Sequence, residues 1–358
     1  MSNPSLDTPS LDSSSLDSSS LDTPASHAVT PSADGVRRLW TAIPGWLCFP
    51  AVAAVLALAP VAGLSDFAQS LIIEVMIYAM LASSLNLLLG QTGLVSLGHA
   101  AFFAVGAYAA ALCANALSTD VVATLASAVA AGLALALPVG WLSVRLSGFY
   151  FLMITFSFAQ MVFVAAMRWT WLSGGSDGLI VAAPTLFDAP VLQARESVYG
   201  FVLVGCTVSL FLLWALYRSS FGQVLIGIRD NTKRMRALGY NVRSYKLVAF
   251  LIAAGFSAFA GGIYVCFSHF ISPDTASWTQ SATALVMVLV GGAGTIIGPV
   301  VGATVILLLQ NWSSSYTDHW NMVLGLLFIV VIWISPDGIV GVARRLSMRL
   351  RRNRHADS

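Results

Sequence analysis

Long apolar stretches alternate with short polar ones from about residue 45 to residue 335. A helix needs about 20 apolar residues to cross the hydrocarbon core of a bilayer, and the stretches recur at about that length. The pattern therefore predicts an all-α polytopic membrane protein with about ten transmembrane helices. The predicted spans cover residues 45–64, 68–89, 100–117, 121–143, 148–167, 198–217, 247–268, 280–292, 297–311 and 319–335.

Two glycine-rich segments interrupt this pattern, at residues 90–100 and 291–299. Irregular backbone at membrane depth persists only where protein or a water-filled cavity surrounds it. Either segment can be re-entrant, which leaves the exact number of spans open. The two also resemble each other (LLLGQTG at 87–93, VLVGGAG at 288–294), through an internal repeat or through chance likeness of apolar sequence. Paired interrupted helices are typical of a transport pathway.

The composition supports a membrane protein, because 57% of the residues are hydrophobic and only 9% are charged. An ordinary soluble domain has about a quarter of its residues charged. With the N-terminus inside, ten spans place sixteen of the eighteen Lys and Arg residues on the cytoplasmic side. Loops that face the cytoplasm carry such an excess of positive charge. The sequence therefore predicts that both termini are cytoplasmic.

The two ends of the chain differ in composition from the transmembrane domain, which we assign to residues 39–341. Residues 1–38 repeat the unit Ser-Leu-Asp among Ser, Thr and Pro, and such a tract cannot bury enough apolar surface to fold. We expect it to be disordered, and it lacks the basic start of a signal peptide. Residues 342–358 form a basic tail that we expect in the cytoplasm.

Few polar side chains fall inside the predicted spans. Glu74 lies well inside one, where a charge is costly unless it meets a partner or water. It is either a carboxyl near the outer interface or a residue that lines a pathway. Asn86, Gln91 and Ser96 border the first glycine-rich segment, and either line a route for a zwitterionic solute or satisfy helix ends. His99 is either a helix-entry residue or a ligand or proton carrier.

A basic segment, residues 218–246, separates two apolar stretches and holds seven of the eighteen Lys and Arg residues. Its middle has the features of a short capped helix. Asp230 or Asn231 can accept hydrogen bonds from a first turn, and Gly239 can close a last one in the left-handed conformation. Such a helix fits a groove on a partner protein. The alternative is a solvated basic loop near anionic lipid headgroups.

The sequence shows no enzymatic constellation and no nucleotide-binding glycine pattern. The four cysteines lie in apolar stretches without the spacing of a metal site or a disulfide framework, so we interpret them as packing residues. We therefore expect no catalytic residue, no metal site, no cofactor and no nucleic-acid partner.

The residues above combine into a pattern that resembles the permease family of branched-chain amino acid ABC transporters, over about residues 45–341. The resemblance lies in six stretches of sequence. They are 86–103 with 106–108, 146–151, 173–178, the basic segment from 221 to 246, the pair Ser272-Pro273 and the glycine-rich stretch 291–303. The chain is most similar to the longer of the two partner permeases. In the basic segment Asp230 stands where Glu is usual, and Thr232 where an acidic residue is common.

The resemblance implies half of an ATP-driven importer for hydrophobic amino acids in the bacterial inner membrane. Its implied partners are a second permease subunit, two ABC ATPase subunits and a periplasmic solute-binding protein. ATP hydrolysis would take place on the ATPase subunits, so the chain itself is not expected to be an enzyme. The implied ATPase coupling residues are Arg229, Asp230, Asn231, Arg234, Ala237, Leu238 and Gly239. The alternatives are an ion-driven secondary transporter, or the same machine carrying urea, amides or aromatic acids.

Overall fold

A computed structural model of the protein describes residues 65–185 and 194–315, together with 322, 325–326 and 338–341. The tract 1–38, the first predicted span and the tail 342–358 lie outside the described residues, and the tenth predicted span lies largely outside them. The helices of the two long stretches are α1 (Asp66–Asn86), α2 (His99–Ala116), α3 (Val121–Ser143), α4 (Phe149–Arg168), α5 (Thr170–Ser173), α6 (Arg195–Arg218), α7 (Ser220–Asp230), α8 (Thr232–Ala237), α9 (Val242–Ser268), α10 (Trp278–Gly291) and α11 (Gly298–Ser314). They also contain two short strands, β1 (Leu179–Ile180) and β2 (Phe270–Ile271).

Six of these helices are long and apolar enough to cross a membrane. They are α1 with its extension to Thr92, α2, α3, α4, α6 and α9. The prediction of an all-α polytopic membrane protein is thereby confirmed. The predicted eighth span is the 14-residue α10, which is shorter than the roughly 20 residues of a full crossing. The count of ten spans stays a prediction.

Helix α9 packs against α1, α2, α3 and α6, and its contact with α2 is the most extensive in the described bundle. Small residues allow the two backbones to approach each other. A Cβ atom at Gly106 would lie 2.6 Å from the Cα atom of Ala258, and one at Gly261 would lie 2.9 Å from the carbonyl carbon of Phe103. Membrane helices associate through such small-residue contacts, because apolar side chains gain little by leaving lipid for a neighbouring helix.

Helices α3 and α4 present apolar side chains on the outside of the bundle. Trp141 and Leu137 of α3, and Phe149, Tyr150 and Met161 of α4, are all more than half exposed. A contiguous apolar surface of this kind meets lipid or another protein. The polar residues described below lie on other helices and on the segments that connect them.

The two ends of the bundle are built differently. At the hairpin end, β1 and β2 pair in antiparallel fashion, with Ile180 opposite Phe270. Asn115 fixes this connection, since its side-chain amide donates to the Ile180 carbonyl and its oxygen accepts from the Ala182 N–H, both at 2.9 Å. At the opposite end lie the glycine-rich segments and the basic segment.

Three of the four cysteines lie within the described helices. Cys113, Cys206 and Cys266 are buried and free, in α2, α6 and α9. Their burial agrees with the interpretation as packing residues. Cys48 lies outside the described residues.

Candidate functional site

The first glycine-rich segment remains helical further than its sequence predicts. Beyond Asn86 the chain continues as a π-helical turn, Leu87–Thr92, which ends at Gly93 with a φ of 72°. Turns of this kind are rare and occur frequently at functional sites. The backbone is non-helical only from Gly93 to Gly98, and α2 begins at His99. The predicted irregular stretch of 90–100 is therefore corrected to 93–98.

The second glycine-rich segment leaves the helical path between α10 and α11. Gly292 and Gly294 have φ values of 113° and 81°, a backbone conformation that other residues rarely adopt. The helix resumes at Gly298, with Pro299 in its first turn. Proline is tolerated there because the amide of a first turn has no helical partner in any case.

The two segments lie against each other, and Asn86 binds them together. A Cβ atom at Gly90 would lie 2.6 Å from the Cα atom of Gly294, so the contact requires glycine. The fully buried amide of Asn86 donates to the Thr295 carbonyl at 2.7 Å, and its oxygen accepts from the Gly294 N–H at 2.8 Å. The same amide lies 3.2 Å from the Tyr217 hydroxyl at the end of α6.

Helix α7 reaches the same place through Arg229. The guanidinium of Arg229 donates to the carbonyl of Gly90. Its aliphatic stem passes Gly93, where a Cβ atom would lie 3.3 Å from Cγ of the arginine. Hydrogen bonds from an ionised donor are stronger than neutral ones. We refer to the group formed by Asn86, Gly90, Tyr217, Arg229, Gly294 and Thr295 as the junction.

The basic segment is mostly helical, because α7 and α8 occupy most of its length. Asn231 separates the two helices, and its side-chain oxygen accepts from the N–H of Arg234 at 2.9 Å. Asp230 is the last residue of α7. Of the two predicted N-caps, the structure therefore uses Asn231.

Gly239 ends α8 in the left-handed conformation, with a φ of 88°. Its N–H donates to the Arg236 carbonyl at 3.0 Å, and the N–H of Tyr240 donates to the Met235 carbonyl at 3.1 Å. These two bonds form a Schellman motif, which satisfies carbonyls at the helix end. Met235 is buried beneath the helix, whereas Leu238 is 65% exposed. The result is a compact helix with a protruding apolar tip.

All seven residues predicted to couple to an ATPase are exposed on this part of the surface. They are Arg229, Asp230, Asn231, Arg234, Ala237, Leu238 and Gly239. Further exposed cations, Lys233, Arg236 and Arg243, surround the tip. The surface fits an acidic partner with an apolar depression for Leu238.

Four of the five predicted pathway residues border the first glycine-rich segment, and all four are buried: Asn86, Gln91, Ser96 and His99. The Nδ1 atom of His99 lies 3.4 Å from the Ser96 hydroxyl. Its Nε2 atom and the Oε1 atom of Gln91 are buried without a hydrogen-bond partner among the described residues. An unpaired buried polar atom costs about 1–3 kcal/mol, so both atoms are available to a further hydrogen-bond partner.

Serine hydroxyls that the sequence analysis did not single out hold the start of α2. Ser257 of α9 donates to the carbonyl of His99 at 2.9 Å, and Ser281 of α10 accepts from the N–H of Ala100 at 3.1 Å. Both serines are fully buried. Ser257 is a small polar residue isolated in an apolar stretch, whereas Ser281 follows Thr279 and Gln280 in the polar first turn of α10.

Glu74, the fifth predicted pathway residue, lies apart from the others. It precedes Asn86 by twelve residues on α1, which corresponds to about 18 Å along the helix. It therefore belongs to the half of α1 nearer the hairpin end. Among the described residues, no three His, Cys, Asp or Glu side chains lie close enough together to hold a metal ion.

Comparison with known proteins places this architecture among transport permeases. The family model described as branched-chain amino acid transport system, permease component, matches residues 67–332. The high-affinity branched-chain amino acid transport system permease protein LivM of Escherichia coli K12 is 29% identical over 297 residues, covering 75% of this chain and 69% of LivM. LivM of Salmonella typhimurium is 29% identical over 298 residues, with the same coverage. The autoinducer 2 import system permease protein LsrC of Salmonella paratyphi B is 27% identical over 208 residues, 53% of this chain and 55% of LsrC. No solved structure matches the chain.

Proposed function

The chain belongs to the family of permease components of branched-chain amino acid transport systems, and we propose that it forms half of the translocation path of an ATP-driven importer. Its cargo is branched-chain or other hydrophobic amino acids. A second permease subunit completes the path, two ABC ATPase subunits supply the energy, and a periplasmic binding protein delivers the solute. The complex lies in the inner membrane of a bacterium, with both termini of this chain in the cytoplasm.

The observation that carries the proposal is the link between the basic segment and both glycine-rich segments. Arg229 lies at the end of α7, beside the capped helix α8, and its guanidinium holds the carbonyl of Gly90. Gly90 in turn packs on Gly294, and Asn86 bonds to the second segment. A partner that moves α7 and α8 therefore acts on both interrupted helices at once.

In this mechanism the ATPase subunit binds the exposed side of α8 at Arg234, Ala237, Leu238 and Gly239. Because Met235 is buried and Asn231 and Gly239 cap the helix, α8 moves as a rigid body. ATP binding pulls the ATPase subunits together, and the displacement passes through α7 and Arg229 to the junction. Glycine-rich backbone changes conformation at low energetic cost, so the interrupted helices bend at the junction.

The solute path follows the first glycine-rich segment. Gln91 and His99 each present a buried polar atom without a partner, and Ser96 lies between them in the chain. When the two segments move apart, the unpaired polar atoms of Gln91 and His99 can form hydrogen bonds to a polar solute. This arrangement suits a zwitterion that passes without being bound tightly.

Reconstitution into liposomes tests the proposal. The chain with its second permease, ATPase and binding protein is expected to import leucine when ATP is added on the ATPase side. A complex whose ATPase subunits bind but do not hydrolyse ATP is the control, and it should import nothing. The chain reconstituted alone should neither hydrolyse ATP nor transport. Uptake by the chain alone, driven by a proton or sodium gradient, would instead establish a secondary transporter.

A further inference from the structure

The carboxyl group of Glu74 lies inside the apolar bundle, and no cationic side chain pairs with it among the described residues. It lies eight residues after Asp66, the start of α1, which corresponds to about 12 Å along the helix. Its side chain is half-buried. The one ion pair among the described residues joins Arg195 to Asp66 at 3.3 Å, and Glu74 has neither a hydrogen bond nor an ion pair there. A charge at membrane depth is retained only where something pairs with it or solvates it.

An aromatic cluster begins one turn away from this carboxyl group. Tyr78 follows Glu74 by four residues on α1, so the two side chains lie on the same face of the helix. The ring of Tyr78 stacks on Phe103 at a centroid distance of 6.4 Å, and Phe103 lies 5.5 Å from the ring of Tyr264. Gln280 of α10 donates to the Tyr78 hydroxyl. Four helices thus contribute to one half-buried cluster.

The chemistry of this cluster fits an organic cation. A carboxylate beside aromatic faces attracts an ammonium group through both charge and cation–π interaction. A divalent metal ion would need six or more oxygen ligands or several carboxylates, and no group of three such ligand residues exists among the described residues. A carboxyl group without a partner among the described residues, one turn from a cluster of aromatic rings, therefore points to an ammonium ligand.

The cluster also connects to the rest of the path. Gln280 bonds to Tyr78, and its neighbour Ser281 bonds to the start of α2 at Ala100, next to His99. Two consecutive residues of α10 thus connect the aromatic cluster near Glu74 to the buried polar atoms near the first glycine-rich segment. A solute released at the hairpin end would meet Glu74 first.

We propose that Glu74, with the rings of Tyr78 and Tyr264, forms a subsite for the protonated amino group of the transported solute. This inference rests on the proposed function and narrows its cargo. A subsite for ammonium selects amino acids over urea, neutral amides and carboxylic acids without an amino group. The binding protein selects the solute in solution, and Glu74 then favours solutes that carry a protonated amino group inside the membrane.

Chemical modification of the carboxylate in the assembled complex tests the subsite directly. Dicyclohexylcarbodiimide reacts with carboxyl groups in apolar surroundings, and mass spectrometry of peptides measures the reaction at Glu74. Leucine and 3-methylbutylamine, which share the ammonium group, should slow the reaction. The deaminated analogue 4-methylpentanoate should leave it unchanged. The exposed Glu196 at the start of α6 is the control carboxylate, and none of the three solutes should affect it.

Variants supply a second readout in ATP-driven import of leucine. Glu74→Gln keeps the shape and removes the charge, and should reduce import about tenfold, as expected for the loss of one charge-assisted contact. Glu74→Asp should retain part of the activity, and Tyr78→Phe, which keeps the ring, should retain most of it. Glu196→Gln should import normally.

The outcomes separate the subsite from the proposed function. If the native complex imports leucine and Glu74→Gln imports it equally well, the subsite is overturned while the importer stands. If no solute slows the modification and Glu74→Gln loses the second permease subunit, the carboxylate pairs with a cation of that subunit and the subsite is again overturned. If the native complex imports no amino acid, the proposed function fails, whereas protection by 3-methylbutylamine still reports on the ammonium site.

Discussion

Asn86 and Gly90 show how single residues define the junction. Asn86 uses both ends of its amide, so that one side chain bonds to a carbonyl, an N–H and a hydroxyl on two other parts of the chain. Gly90, one turn later, has no side chain, and this allows the two segments to contact each other. The hydrogen bonds of Asn86 depend on glycine at position 90, since a Cβ atom there would lie 2.7 Å from Oδ1 of Asn86.

Replacing Gly90 with alanine should therefore open the junction. The added Cβ atom would lie 2.6 Å from the backbone of Gly294 and 2.7 Å from Oδ1 of Asn86. Overpacking of this kind typically costs about 1–3 kcal/mol. We expect Gly90→Ala to insert normally, to melt at a lower temperature and to lose most of its ATP-driven import.

Gly200→Ala is the matched control for that substitution. Gly200 lies within α6, and a Cβ atom there would have no neighbour within 4 Å among the described residues. Alanine in a helix interior is favoured over glycine by roughly 0.5–1 kcal/mol, so this variant should be at least as stable as the native protein. Equal melting temperature and import in Gly90→Ala and Gly200→Ala would show that the close approach at Gly90 is not needed.

Sequence reasoning found some of these residues and missed others for a physical reason. Asn86 was visible because a primary amide in an apolar span must find partners. Its partners were not visible, because Tyr217 and Thr295 are 131 and 209 residues away and follow no periodicity. The hydroxyls of Ser257 and Ser281 were missed for the same reason. A polar side chain in a membrane helix indicates that a hydrogen bond is formed, but the sequence does not show which helix provides the partner.

At the scale of elements, the caps of α8 were predictable and the division of the basic segment was not. Asn231 and Gly239 carry local signals, since one accepts hydrogen bonds at a helix start and the other adopts a positive φ. The start of α7 also carries a local signal that the sequence analysis did not single out, because the Ser219 hydroxyl accepts from the N–H of Gly222 at 3.3 Å. The burial of Leu225 and Ile228, in contrast, depends on tertiary packing. The π-helical turn after α1 likewise depends on tertiary packing.

Gly239→Val tests whether the shape of α8 matters for docking. A β-branched residue at a φ of 88° is strained, and each L residue in a left-handed conformation costs roughly 1–2 kcal/mol. We expect the end of α8 to shift, less ATPase subunit to co-purify and import to fall, while the amount of protein in the membrane holds.

Gly239→Asn is the control, because asparagine tolerates the left-handed conformation at a helix C-terminus. No atom of the described part of the chain lies within 4 Å of a Cβ atom at this position, so neither variant creates a clash there. Asparagine should keep both co-purification and import. If valine matches asparagine in both measurements, α8 is not the element that binds the ATPase.

At the scale of the whole molecule, the class of protein was predictable and the number of crossings was not. Apolar length alone identified six of the helices that are long enough to span a membrane. It also predicted a span over residues 280–292, where the structure forms the 14-residue α10, and the total of ten crossings stays a prediction. The partners in the proposed function rest on the family relationship, and under that proposal the next question is how energy from outside this subunit reaches its interior.

Arg229 and Arg234 are both exposed arginines of the basic segment, but we expect them to have different roles in this coupling. Arg229 bonds to Gly90 in the junction, whereas Arg234 lies on α8 at the proposed ATPase contact. In Arg229→Gln the docking surface of α8 is intact, so the ATPase subunits should co-purify and hydrolyse ATP, but fewer leucine molecules should enter per ATP. In Arg234→Gln docking itself is weakened, by about 0–1 kcal/mol for one exposed pair, so hydrolysis and import should fall together. Measuring both rates in the same liposomes separates the two effects. An unchanged ratio of leucine to ATP in Arg229→Gln would mean that the bond to Gly90 holds the fold without transmitting the motion of the ATPase.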